Sequence, residues 1–343
     1  MKKGRLQQLG ATAALACLLA AGLWLTSLGQ DGVEPLATLG VRGWAQNLEF
    51  SPDGSCLAVA CMSGAVQCYS TETWDLLWDV SLGSSVTGLG FSPDGSALAI
   101  SQSESLDVTF LNPIDGAELR IITLTDVIHG HPDSKFYGVF DVDFSPNGQL
   151  LACTERVCSS LKLVDVETGE ELGTPIKHDA GDGYVLAEFN PAGTYLASST
   201  EEGDLVILTV SSRRISKSFQ EVGVCDIAFA PDGTLFTASL TDSGDRIQKW
   251  HKSLWTASDF GPPDEEARYG VVIAVSPDGS LVASGFANLR LLDAGTEEVL
   301  WTHELPRNGA LWMRFSPDGN LLAVGLAKKA TVEIWQVSDI LGE

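Results

Sequence analysis

Histidine, methionine and basic residues are scarce in this 343-residue chain: five His, three Met and 21 Lys plus Arg, against 45 Asp plus Glu and a net charge of −24. A surface this acidic repels phosphate backbones and anionic lipid, which excludes nucleic acid as a partner and favours solubility or basic partners. Catalytic signatures are also lacking. The chain has no G-x-S-x-G elbow, no H-E-x-x-H helix, no G-x-x-x-x-G-K-[ST] loop and no dinucleotide-binding G-x-G-x-x-G. None of its seven cysteines forms a C-x-x-C pair, so zinc-ribbon and thioredoxin-like chemistry have no support.

What the chain has in plenty is one phrase, written seven times. Four copies are Phe50-Ser51-Pro52-Asp53-Gly54, Phe91-Ser92-Pro93-Asp94-Gly95, Phe144-Ser145-Pro146-Asn147-Gly148 and Phe189-Asn190-Pro191-Ala192-Gly193. Three more are Phe229-Ala230-Pro231-Asp232-Gly233, Val275-Ser276-Pro277-Asp278-Gly279 and Phe315-Ser316-Pro317-Asp318-Gly319. Successive prolines lie 41, 53, 45, 40, 46 and 40 residues apart. Units of this length, rich in short strands, are the mark of propeller blades. The expected fold is all-β: a seven-bladed β-propeller over residues 31–343, monomeric, preceded by a separate element at 1–30.

Each repeat reads as one blade. An apolar residue two positions before the Phe shares a strand face with it, by period-2 alternation. Pro, Asp and Gly then turn the chain, because Pro presets φ, Asp bonds its own backbone and Gly accepts positive φ. The second strand carries a large apolar residue beside a small one, as in Leu57-Ala58 and Leu98-Ala99. Fourth strands are expected at Trp74–Val80, Ala117–Leu124, Glu170–Gly173, Arg214–Phe219 and Glu297–His303, with an ill-defined piece near Leu254–Phe260. The seventh repeat has no fourth strand of its own, and Glu34–Leu39 is expected to supply it and close the ring.

Residues 1–30 fall outside the repeat. Lys2, Lys3 and Arg5 precede an uncharged, apolar run from Leu9 to Leu28. A basic start leading into about 20 apolar residues reads as a secretory signal or an N-terminal membrane anchor helix. The basic side stays cytoplasmic, so the propeller is expected to be extracytoplasmic, secreted or membrane-anchored, touching the membrane only through residues 9–28. Cys61–Cys68 and Cys153–Cys158 could each bridge a hairpin, but directly paired neighbours suit disulfide geometry poorly, and free thiols are expected.

The phrase F-S-P-D-G-x-x-L-A at this period resembles the WD40 repeat family over about residues 34–337, which implies a propeller. The chain departs from that pattern at the end of the third strand. Trp occurs there only as Trp250 and Trp335, and the Asp that should follow occurs only as Asp165 and Asp293. The family's hydrogen-bonded network is therefore mostly absent, and the chain resembles a divergent member.

Three groups of residues could carry function. One residue before the Phe stand Glu49, Asp143, Glu188 and Arg314, and three before it stand Asp141 and Asp226. Period 2 sets these opposite the apolar face, toward a central channel, where facing carboxylates could raise one another's pKa or bind a divalent cation. No other cofactor is implied. His129 and His131, in the insertion that stretches one spacing to 53, could hold zinc or nickel if another ligand converged. Trp44, Phe136, Tyr137 and Tyr269 lie near loops that emerge on one face of the disc, where aromatics anchor protein or peptide partners. The reading that follows is a non-enzymatic protein-interaction scaffold or binding platform. The alternatives are a metal-dependent hydrolase or lactonase, which needs Glu49, Asp143 and Glu188 to converge on a metal, and a sensor that binds a small ligand in the channel.

Overall fold

A computed structural model describes residues 32–125, 138–155, 160–177, 183–220, 222–241, 244–251, 254–264, 272–285, 288–305, 309–326 and 330–342. Within them, seven four-stranded antiparallel sheets surround a central channel. The chain enters through β1 (Ala37–Gly40). Blade 1 is β2 (Ala45–Phe50), β3 (Cys56–Cys61), β4 (Ala65–Ser70) and β5 (Leu76–Ser81). Blade 2 is β6 (Val86–Phe91), β7 (Leu98–Gln102), β8 (Asp107–Leu111) and β9 (Glu118–Thr123). Blade 3 is β10 (Val139–Phe144), β11 (Leu150–Glu155), β12 (Ser160–Asp165) and β13 (Ile176–Lys177). Blade 4 is β14 (Tyr184–Phe189), β15 (Tyr195–Thr200), β16 (Leu205–Thr209) and β17 (Arg214–Phe219). Blade 5 is β18 (Val224–Phe229), β19 (Leu235–Thr241), β20 (Gly244–His251) and β21 (Thr256–Asp264). Blade 6 is β22 (Val272–Val275), β23 (Leu281–Gly285), β24 (Asn288–Asp293) and β25 (Val299–Glu304). Blade 7 is β26 (Ala310–Phe315), β27 (Leu321–Leu326) and β28 (Thr331–Gln336), followed by the short helix α1 (Val337–Leu341).

The repeated phrase makes the turn between the first and second strands. In blade 1, Ser51 Oγ donates to Asp53 Oδ1 at 2.6 Å and accepts from the Cys56 N–H at 3.0 Å. The Asp53 carboxylate also takes the Ser55 N–H, and Gly54 closes the turn at φ 72°. Blade 2 repeats the geometry with Ser92, Asp94 and Ser96. These turns also touch their neighbours. A Cβ built on Gly279 would lie 3.2 Å from Pro231 Cδ, and one on Gly54 would lie 3.8 Å from Pro317 Cδ, so last and first blades meet as the others do.

The alternation of large and small residues on second strands assigns their two faces. Leu57 and Val59 pack with Ala323, Val332 and Ile334 of blade 7, whereas Ala58 and Ala60 pack with Leu89, Phe91 and Leu98 of blade 2. A small residue on one side lets the next blade approach, and burying the leucine on the other contributes about 1.5–3 kcal/mol.

β1 pairs with β28, Ala37 opposite Ile334 and Leu39 opposite Val332, as the outermost strand of blade 7. The strand is shorter than the expected Glu34–Leu39. Leu39 is buried against Val41, Val332 and Ile334, but Leu36 is 53% exposed. Fourth strands depart most from expectation. β5 starts two residues late because Trp74, at φ 61°, belongs to the turn. Blade 3 places its outer strand at Ile176–Lys177, while Glu171 makes only an isolated bridge to Val164. The piece expected to be ill-defined in blade 5 is a nine-residue strand, Thr256–Asp264.

The N-terminal run at 9–28 lies outside the described residues, among which no helix is long and apolar enough to cross a membrane. Cys56, Cys61, Cys68, Cys153 and Cys225 are free thiols. The contact is between Cys56 and Cys68, diagonal neighbours on one face, rather than within the Cys61–Cys68 hairpin. Their hydrogen bond pulls the Cys56 thiol down to about 7 and pushes Cys68 up.

Candidate functional site: an acidic central channel

The innermost strands leave a channel cavity of about 280 Å³. Its geometry follows from a shared irregularity. In six of the seven first strands the register slips between the fifth and third residues before the Phe position, for example between Ala45 and Asn47. Beyond that bulge the alternation is regular, so residues three and one before the Phe both face the channel. One tier carries Asn47, Asp141, Leu186, Asp226 and Trp312, and the other carries Glu49, Asp143, Glu188 and Arg314. At these two positions blade 2 has Gly88 and Gly90, and a Cβ on Gly88 would stand 2.8 Å from Asp141 Cα.

Each acid grips the next blade. Glu49 Oε2 accepts the Phe91 N–H at 3.2 Å, Asp143 Oδ2 the Phe189 N–H at 2.6 Å, and Glu188 Oε1 the Phe229 N–H at 2.9 Å. In the other tier Asp141 Oδ2 accepts from Ala187 N–H at 3.1 Å, and Asp226 Oδ2 from Ile273 N–H at 2.8 Å. Burial outweighs these bonds and lifts Glu49, Asp141 and Glu188 to about 7, Asp226 to about 6, and Asp143 well above its ordinary value. The Arg314 charge opposes the rise at Glu49, Glu188 and Asp226. Its guanidinium donates to Met313 O and lies 5.2 Å over the Trp312 ring.

The five acids singled out in the sequence are thus brought together. Their hydrogen bonds to neighbouring blades were not foreseen, because partners some 41–47 residues away carry no local signal. Among the described residues no group of three His, Cys, Asp or Glu side chains is spaced to hold a metal ion. His129, His131, Phe136, Tyr137 and Tyr269 lie outside the described residues.

Trp44 stands on the face where fourth strands lead into first strands, 46% exposed. Beside it is Met62, 48% exposed, whose N–H donates to Trp44 O at 2.9 Å. A polar chain borders the pair. Arg42 Nη1 meets Asp79 Oδ1 at 2.8 Å and Ser81 Oγ at 3.2 Å, and the Arg42 N–H donates to Gln67 Oε1. Sequence reasoning missed Met62, which sits in a second-to-third-strand turn with no motif to mark it. A second charged cluster is buried in blade 3. Lys162 Nζ pairs with Glu155 Oε1 at 2.7 Å and Glu171 Oε1 at 3.4 Å, and donates to Thr125 O.

Seven four-stranded blades around an acidic channel define a β-propeller. The family model described as WD domain, G-beta repeat matches residues 122–163. WD repeat-containing protein SL1-17 of Schistosoma mansoni is 28% identical over 164 residues, covering 46% of this chain and 52% of that protein. Telomerase protein component 1 of Mus musculus is 25% identical over 307 residues, covering 84% of this chain and 10% of that protein. The chain thus spans about half the length of the first relative and about a tenth of the second. The Myceliophteria thermophila Cps50 (Swd1) beta-propeller domain is 18% identical with a TM-score of 0.70, over 88% of this chain and 99% of that one. Hydrazine synthase of Kuenenia stuttgartiensis is 15% identical with a TM-score of 0.71, over 89% and 98%. At those identities the two structures attest the fold alone. One repeat of the chain thus matches the WD40 family model, and the fold is that of a β-propeller. In blade 5 the buried Trp250 Nε1–H donates to Thr237 Oγ1 at 3.0 Å.

Proposed function

We propose that this protein is a protein-interaction scaffold, exported or tethered through residues 9–28, that presents the Trp44 face to a protein or peptide partner. The observation that carries the reading is the exposed Trp44–Met62 pair, held by a backbone bond and bordered by the Arg42–Asp79–Gln67 chain. An apolar centre of Trp and Met inside a polar rim is the anatomy of a binding patch. The same reading takes β1 as the strand that fastens the ring, so that the patch rests on a rigid frame.

Cross-linking of the full chain in its native cells, read by mass spectrometry, tests it. Cross-links to other proteins should map around Arg42–Ser63. Cross-links confined to the opposite face, around Ile114 and Leu254, would overturn it.

A further inference from the structure

Three channel carboxylates are half used. In Glu49, Asp143 and Glu188 one oxygen holds the next blade's N–H, and the other finds no hydrogen-bond partner among the described residues. Arg314 makes no ion pair with them among those residues. It is turned onto Met313 O and the Trp312 ring.

A second, independent feature lies in the other tier. The Asn47 side chain is 3% exposed, lines the cavity, and has no hydrogen-bond partner among the described residues. The Trp312 Nε1–H, on the same tier, is also buried without a partner. Buried amides and indoles ordinarily find partners, and one left open toward a cavity points to something that completes it.

The geometry of the site also limits what kind of ligand fits. One oxygen of each carboxylate is held by its neighbouring blade, and among the described residues no group of three His, Cys, Asp or Glu side chains is spaced to hold a metal ion. Charge-assisted N–H···O bonds tolerate a wider spread of acceptors. We infer that the channel is a binding site for an alkylammonium ion, held by the open oxygen of Glu49 and the carboxamide oxygen of Asn47, two positions apart on one strand face, in the negative field of Asp143 and Glu188. A cavity of about 280 Å³ accommodates a chain the length of a lysine side chain. The ammonium can belong to a free amine or to a lysine within a peptide. In the second case the Asn47 amide N–H would meet a peptide carbonyl.

This site is separate from the Trp44 patch, and its test does not depend on that reading. Calorimetric titration of the full chain would use cadaverine, Nα-acetyl-lysine methylamide and calcium chloride as probes, at about pH 8 and about pH 5.5, either side of the range to which burial lifts Glu49 and Glu188. The charged groups facing the site are Glu49, Asp141, Asp143, Glu188, Asp226 and Arg314, while blades 2 and 6 line it with the uncharged Leu89, Ala274 and Val275. Saturable amine binding is expected at the higher pH, weakened roughly tenfold or more at the lower as the acids take protons. Glu49→Gln and Asn47→Ala should each weaken it, and Ile114→Ala should not. Tighter binding of the lysine amide than of cadaverine would identify the peptide source, and the reverse the free amine. No saturable amine binding, tighter binding of calcium, or amine binding unchanged by both pH and Glu49→Gln would each overturn the inference. The pH comparison on the unaltered chain keeps the test decisive if a variant fails to fold.

Discussion

The carboxylate of Glu188 accepts a hydrogen bond from the backbone N–H of Phe229, 2.9 Å away, across the boundary between blades 4 and 5. The same bond recurs from Glu49 to Phe91 and from Asp143 to Phe189. A single acidic side chain therefore both lines the channel and ties one blade to the next.

This arrangement sets the sign of the pH dependence. Burial raises the folded-state pKa of Glu49, Asp141 and Glu188 to about 7, above the unfolded value of about 4. Folding then favours the protonated acid, so this contribution is full below about pH 4 and is lost as pH rises through 7. The turn aspartates act oppositely. Hydrogen bonds from Ser92 and Ser96 lower Asp94 to about 2, and that contribution is lost only as pH falls through 2. The melting temperature of the full chain should therefore be higher near pH 5 than at pH 8, and Glu49→Gln should flatten the slope. A melting temperature that stays level or rises over that interval would sink the assignment.

Leu36 and Leu39 flank the start of β1 but differ in burial. Leu39→Ala removes a side chain packed against Val332 and Ile334 and should cost about 2–5 kcal/mol. Leu36→Ala should stay within about 0.5 kcal/mol. Denaturant midpoints of the two variants check it. Equal midpoints would mean that β1 does not fasten blade 7.

The two leucines also mark what a sequence conveys. Seven copies of the Phe-to-Gly phrase announce seven blades because the turn is local chemistry: Ser, Asp and Gly close it within five residues. The channel acids were legible for a similar reason, since alternation after the bulge is regular. Fourth strands were not. They form the exposed rim, where strands such as Arg214–Phe219 bury little and leave no apolar period to read. The grip of Asp143 on Phe189 was hidden because it depends on how two blades meet, and Asn47 gave no signal beyond its position.

The buried pair of Lys162 and Glu155 should behave asymmetrically. Lys162→Met alone leaves Glu155 uncompensated in blade 3 and should cost about 3–5 kcal/mol. Adding Glu155→Leu should recover most of that loss in equilibrium unfolding. A double variant no more stable than the single one would show that the pair is worth more than its desolvation cost.

The proposed export through the basic-then-apolar N-terminus predicts where the far end lies. A reporter fused after Glu343 that fluoresces only in a reducing cytoplasm should stay dark, and one active only outside it should signal. The opposite pattern would refute the topology.

The scaffold reading meets its most direct test in reconstituted binding. A partner identified by cross-linking, purified and titrated with the full chain, should bind Trp44→Ala about 2 kcal/mol more weakly, roughly a thirtyfold loss. Ile114→Ala, an exposed apolar change on the opposite face, should leave affinity unaltered. Undiminished binding by Trp44→Ala, with loss in Ile114→Ala, would contradict the account.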